Sequence, residues 1–213
     1  TDAIAIENDG QFTPVEGFDT PRDPADMTAD EILSAIRDAG IVGQGGAGFP
    51  THVKLTVKPG QEPDTVIVNG AECEPYLTSD LRLMLEQPER LLAGLDVVLR
   101  LFPKAQGVIA IEDNKPEAIT RLTAQARTHE RVRVQSLKTK YPQGGERMLI
   151  HAVTGRDICS SRLPIAAGCI VLNVSTVISI CLAVCRRVPQ IATVMTVTGD
   201  GAAAPCNLRV PTG

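Results

Sequence analysis

Apolar residues recur at helical spacing through residues 30–39, at Ile32, Leu33, Ala35 and Ile36. Thr28 stands where an N-cap belongs, and Glu31 three residues on completes a capping box. Gly40 can end that helix. Short continuous apolar runs at 65–69, 107–111 and 169–172 read as buried strands, whereas residues 131–135 alternate and read as a strand nearer an edge. Residues 88–101 and 116–128 read as helices that each open at a proline, which has no N–H to leave unpaired in a first turn. Residues 145–153 and 176–187 read as two more helices. Strands alternating with helices predict an α/β fold, a largely parallel sheet flanked by helices on both faces.

The ends break this rhythm. Residues 3–6 are strand-like and lead into a polar, proline-containing connector, and residues 194–198 form a last strand before Gly-Ala-Pro-rich sequence. Three segments are expected: 1–24, 25–192 and 193–213. Hydrophobic residues make up 43% and charged residues 22% of the 213, an ordinary balance for a soluble globular chain. A net charge of -4, only 3% aromatic residues and no tryptophan argue against nucleic acid as a partner. The longest apolar stretch, 166–184, is interrupted by Asn173 and several hydroxyl residues, so it reads as a strand and a helix instead of a membrane span. The six cysteines form no CxxC pair, so metal-site spacing is absent and free thiols are expected.

Four segments carry candidate chemistry. The first is Gly43-Gln-Gly-Gly-Ala-Gly-Phe-Pro-Thr51 with Lys54 just beyond. Its glycines let the backbone approach a bulky ligand, its amides suit a phosphate, and the lysine supplies countercharge. The spacing formally matches a dinucleotide fingerprint, but that motif needs a strand before it, and here a helix precedes. A plain glycine turn between helices is the bland reading. The second, Asn69-Gly-Ala-Glu-Cys-Glu-Pro75, lies just past a buried strand, where open α/β sheets bind ligands; it can equally be a turn with two solvated glutamates. The third is Tyr141-Pro-Gln-Gly-Gly-Glu146, two glycines before a helix. The fourth is Asn173-Val-Ser-Thr176, which can cap a helix or hold a phosphate. Four such turns at one sheet edge point to a shared crevice.

Together these segments, with Ile-Glu-Asp-Asn-Lys-Pro at 111–116 and Val197-Thr-Gly-Asp200, resemble the C subunit of the Rnf electron-transport complex. That protein shares its FMN-binding domain with the NADH-oxidising flavoprotein of respiratory complex I. The resemblance covers roughly residues 28–213. It implies an FMN that takes a hydride from NADH and passes electrons singly to iron–sulfur clusters. On the matching motifs, Gly43, Gly45 and Gly46 would line the FMN, and Lys54 would lie near its phosphate or ribityl chain. Asn69, Glu72 and Glu74 would sit by the ribityl and isoalloxazine. Gly144, Gly145 and Glu146 would approach the flavin, and Asn173 with Thr176 would bind the phosphate region.

The resemblance further implies residues 1–24 as the tail of a preceding β domain plus connector, 25–192 as the FMN domain, and 193–213 as the start of a β-grasp domain. The 4Fe-4S clusters are expected only in a C-terminal part beyond this segment. Implied partners are other subunits of a membrane complex and NADH or ferredoxin, with a peripheral place on the cytoplasmic side of the bacterial inner membrane and no direct insertion. The chain departs from the complex I pattern at Ala71, which is acidic there. It is poor in aromatics, with Phe49 and Tyr76 near the first two motifs. Rival readings are a cobalamin-reductase-type flavoprotein, an assembly module without flavin, and a phosphate-substrate transferase.

Overall fold

The computed structural model describes residues 5, 7, 9–159 and 161–212. The strand expected over 3–6 lies, apart from Ala5, outside them. The first helix, α1 (Ala29–Asp38), carries the expected capping box: Thr28 Oγ1 accepts from the Glu31 N–H, and Glu31 accepts from the Thr28 N–H. Gly40 takes φ +66° and ends the helix as a Schellman turn, its N–H donating to Arg37 and that of Ile41 to Ile36. Ile41 is fully buried, the apolar contact that accompanies such a turn.

Four strands form one parallel sheet in the order β3-β2-β1-β4: β1 (Thr65–Gly70), β2 (Gln106–Glu112), β3 (Val132–Leu137) and β4 (Cys169–Asn173). The continuous apolar runs of β1, β2 and β4 suit strands covered on both faces. One face packs Val66, Val68, Ile109, Ile111, Ile170 and Leu172 into the large core with α1, α4 (Pro88–Leu101), α5 (Pro116–Ala126) and α7 (Val174–Arg186). The other packs Ile67, Ala110 and Val171 against Leu149 and Ile150 of α6 (Glu146–Thr154). The alternating segment is β3, at one edge of the sheet, as its pattern predicts; β4 is the other edge.

Helices α4 and α7 meet at Gly94, where an added Cβ would fall 2.1 Å from the Val177 carbonyl oxygen. Glycine is required there by that close approach. The sequence patterns miss the one-turn helix α2 (Thr51–Leu55), α3 (Ser79–Glu86) and β6 (Cys206–Pro211), besides two short 3-10 turns. Helix α3 hides because it runs almost directly into α4, separated only by Gln87, whose φ of -132° leaves the helical region ahead of Pro88. Strand β6 pairs antiparallel with β5 (Ala192–Val197) as a separate two-stranded hairpin.

Candidate functional site

The parallel register sets Asn69 at the end of β1 directly beside Asn173 at the end of β4. A cleft of about 280 Å³ opens at this strand edge, where open α/β sheets place their ligands. Gly43 and Gly45 of the glycine loop form part of its wall, with Ala47 and Phe49. Thr51 and Lys54 reach it from α2, one turn apart. Asn69, Gly144, Glu146, Asn173 and Thr176 complete the polar lining. Thus eight of the twelve residues expected from the sequence, drawn from all four turns, surround one space.

Several of the lining groups are held by specific partners. Asn69 Nδ2 donates to the Gly144 carbonyl at 2.9 Å and its Oδ1 accepts from the Ala71 N–H, tying the β1 end to the turn before α6. The Gly144 N–H donates in turn to Cys73 Sγ at 3.2 Å. Lys54 Nζ donates to the Val171 carbonyl at 2.8 Å and pairs with Glu146 at 3.1 Å, so the cleft's ammonium covers the open edge of β4. Asn173 Oδ1 caps α7 by accepting from the Ser175 N–H at 2.8 Å. Thr176 Oγ1 accepts from the Gln44 N–H at 2.9 Å and pins the glycine loop to the start of α7.

Gly46 and Gly145 adjoin the lining glycines in the chain, and Gly46 adopts φ +110°, a conformation open to glycine. Glu72 and Glu74 lie elsewhere. They line a neighbouring cleft of about 310 Å³ with Cys73, Lys115 and the exposed Tyr76 and Tyr141. The turn explains the separation: Glu72 takes φ +45°, and its carboxylate accepts from the N–H groups of Asp80 and Leu81 at 2.7 and 3.1 Å. Glu72 thereby satisfies the first turn of α3 instead of facing the glycine loop.

Lys115, almost fully buried, braces the same segment. Its Nζ donates to the Ala71 carbonyl at 2.8 Å and lies 3.7 Å from the buried Glu112 carboxylate, which accepts from the Lys140 N–H. The Asn-Lys-Pro motif therefore holds the β1–α3 turn from beneath.

Asp80 is the residue that sequence patterns do not reveal. Its carboxylate accepts from Asn173 Nδ2 at 2.6 Å and from Ser175 Oγ at 3.4 Å. Desolvation first, and then the nearby Glu72 carboxylate, push its pKa up to about 7, against the pull of those two hydrogen bonds. Desolvation also raises the Glu72 pKa. The signal for Asp80 lay in the unrecognised helix α3, where Leu83 and Met84 are buried and Asp80 is the acid of the first turn.

A family model for the Nuo51 FMN-binding domain matches residues 36–182. The chain belongs to this family. It is 46% identical over 99% of its length to the C subunit of a proton-translocating ferredoxin:NAD(+) oxidoreductase complex from Clostridium ljungdahlii. It is 39% identical, again over 99%, to the C subunit of an ion-translocating oxidoreductase complex from Pseudomonas aeruginosa. These are the Rnf proteins that the motifs resemble. The chain spans 46% of the first relative and 27% of the second. Among solved structures it is similar to an NAD+-reducing [NiFe]-hydrogenase at TM-score 0.72 and 26% identity, covering 89% of this chain and 37% of that one. The family sequence and the parallel sheet thus agree.

Proposed function

We propose that residues 25–192 are the FMN-carrying, electron-entry domain of an ion-translocating ferredoxin:NAD+ oxidoreductase, passing electrons between NADH and iron–sulfur clusters or ferredoxin. The observation that carries this reading is the cleft itself: four glycine- or asparagine-rich turns of an FMN-binding family converge on one space at the strand ends. The residues suit the cofactor. Thr51 is 1% exposed and its hydroxyl has no hydrogen-bond partner among the described residues, so a buried polar group awaits one. A Cβ on Gly45 would stand 3.4 Å from Asn173 Cβ, so the loop lies in direct contact with the asparagine and a larger side chain there would crowd the cleft.

Gly43, Gly45 and Gly46 would let the backbone approach the flavin, with Lys54 offering positive charge to the phosphate or ribityl chain. Asn69, Gly144, Gly145 and Glu146 would bound the ribityl and ring, and Asn173 with Thr176 would meet the phosphate region. When bound, FMN supplies the hydride and one-electron chemistry, and the protein orients it. Glu72 and Glu74 enter this reading as the rim toward the neighbouring cleft, where Tyr76 and Phe49 on the two sides offer aromatic faces to a nicotinamide nucleotide.

Among the described residues no helix is long and apolar enough to cross a membrane. A peripheral place on the cytoplasmic face of the bacterial inner membrane, held by other subunits, fits that observation and the relatives' names. The test is to mix the chain with FMN, desalt it, and record the visible spectrum. Retained flavin absorbance is expected, and anaerobic NADH should then bleach it. Loss of all flavin on desalting at high micromolar loading would overturn the reading.

A further inference from the structure

One side chain of the glycine loop, Gln44, bonds directly to the β5–β6 hairpin. Gln44 sits between the two lining glycines Gly43 and Gly45. Its Nε2 donates to Ser179 Oγ at 2.7 Å and to the Ser175 carbonyl at 3.3 Å, both on α7. Its Oε1 accepts from Thr193 Oγ1 of β5 at 3.2 Å. The side-chain amide is therefore spent on two elements far away in sequence, and its backbone N–H is spent on Thr176. None of these polar groups is turned to the cleft.

Two further contacts run the same way. Gln190, in the connection from α7 to β5, accepts from the Val42 N–H at 2.9 Å and donates its own N–H to the Ala39 carbonyl, gripping the chain just before the glycine loop. Thr78, the residue before α3, donates its N–H to Thr196 Oγ1 of β5 and its hydroxyl to Asn207 Oδ1 of β6. Helix α3 carries Asp80, which orients the Asn173 amide. The hairpin is thus tied to the glycine loop by one route and to the asparagine wall by another.

We infer that the β5–β6 hairpin is a brace for the flavin cleft, with Gln44 as the positioning residue that transmits it. The inference rests on the FMN reading above. A run of glycines has wide backbone freedom, and any ligand that needs it in one conformation must bear the cost of ordering it. A loop held in advance binds more tightly for that reason. The brace lets residues outside the cleft set how well it holds its ligand.

The experiment titrates FMN into the 213-residue chain, following quenching of flavin fluorescence, for the parent, Thr193→Val, Gln44→Leu and the double variant. Thr193→Val keeps the shape and β-branching of the side chain and removes one hydroxyl. It should weaken FMN binding about 5-fold, and Gln44→Leu about 10-fold or more. The double variant should be no weaker than Gln44→Leu, because both act along one path. Thr193→Ser, which retains the hydroxyl, should bind like the parent.

If Thr193→Val lowers the melting temperature enough to cloud the result, Asn207→Ala tests the second route and should weaken binding about 2- to 5-fold. A parent that binds FMN while Thr193→Val and Asn207→Ala bind equally well overturns the brace. So does an additive double variant. A parent that binds no FMN overturns the flavin reading and the brace with it.

Discussion

Two clefts open side by side where β1 ends, and they are chemically opposite. The glycine cleft is walled by backbone, two asparagines and one ammonium, with Glu146 as its carboxylate. Its neighbour gathers Glu72, Glu74 and Glu112 around Lys115, under two exposed tyrosines. Asn69 and Glu72 are only three residues apart, yet the left-handed turn at Glu72 sends one side chain to each cleft. Proximity along a motif does not place its side chains in one site. The hydrogen-bond demand of the next helix took Glu72 away. On the proposed reading a phosphate would lie with the glycine amides and Lys54, because the neighbouring cleft sets three carboxylates against Lys115 and Lys140.

The sharpest way to break this division is Gly45→Val. The branched side chain would press on Asn173 and fill the cleft, and FMN affinity should drop about 100-fold with circular dichroism unchanged. Parent-like binding would show that the glycine loop is not the flavin wall. Next in size is Lys54→Ala, which removes a charged donor and should cost about tenfold in FMN affinity. The same titration on Glu74→Gln should move affinity by less than about twofold, since that side chain lines the other cleft. A tenfold loss there would mean that Glu74 reaches the flavin and that the two clefts act as one.

Asp80 joins the two regions, and pH probes it. Its pKa is raised in the folded state, from an ordinary 3.8 to about 7. The folded chain therefore binds the extra proton, and stability from this group is full below about pH 4 and is lost as pH rises toward 7. Asp80→Asn, uncharged throughout, should flatten that slope. In urea melts the difference between variant and parent should grow in the variant's favour by about 2 kcal/mol from pH 4 to pH 8, discounted for the water that still reaches this half-buried group. Parallel pH profiles would place Asp80 in a more solvated setting than its contacts with Asn173 and Ser175 indicate.

Much of the fold was legible because its signals are local. The Thr28–Glu31 capping box, the Gly40 terminator, the prolines opening α4 and α5, and the apolar runs of β1, β2 and β4 each depend on neighbours within a few residues. The alternation of strand and helix then implied a parallel sheet, and its ligand edge follows from topology. The four turns were legible for the same reason, since glycine and asparagine at strand ends advertise a backbone that must come close to something.

What stayed hidden depends on partners distant in sequence. Helix α2 is a single turn, too short for any period to show. Strand β6 has mostly exposed positions and no apolar run, and it exists by pairing with β5. Gln44 looks like a spacer between glycines until Ser179 and Thr193 arrive from more than a hundred residues away. Asp80 looks like a surface acid until Asn173 and Glu72 close around it. Short-range chemistry was enough to declare that this chain builds a close-approach crevice at a sheet edge. Sorting its carboxylates from its glycines took the packed chain, because a side chain's direction is settled by whichever long-range partner satisfies it.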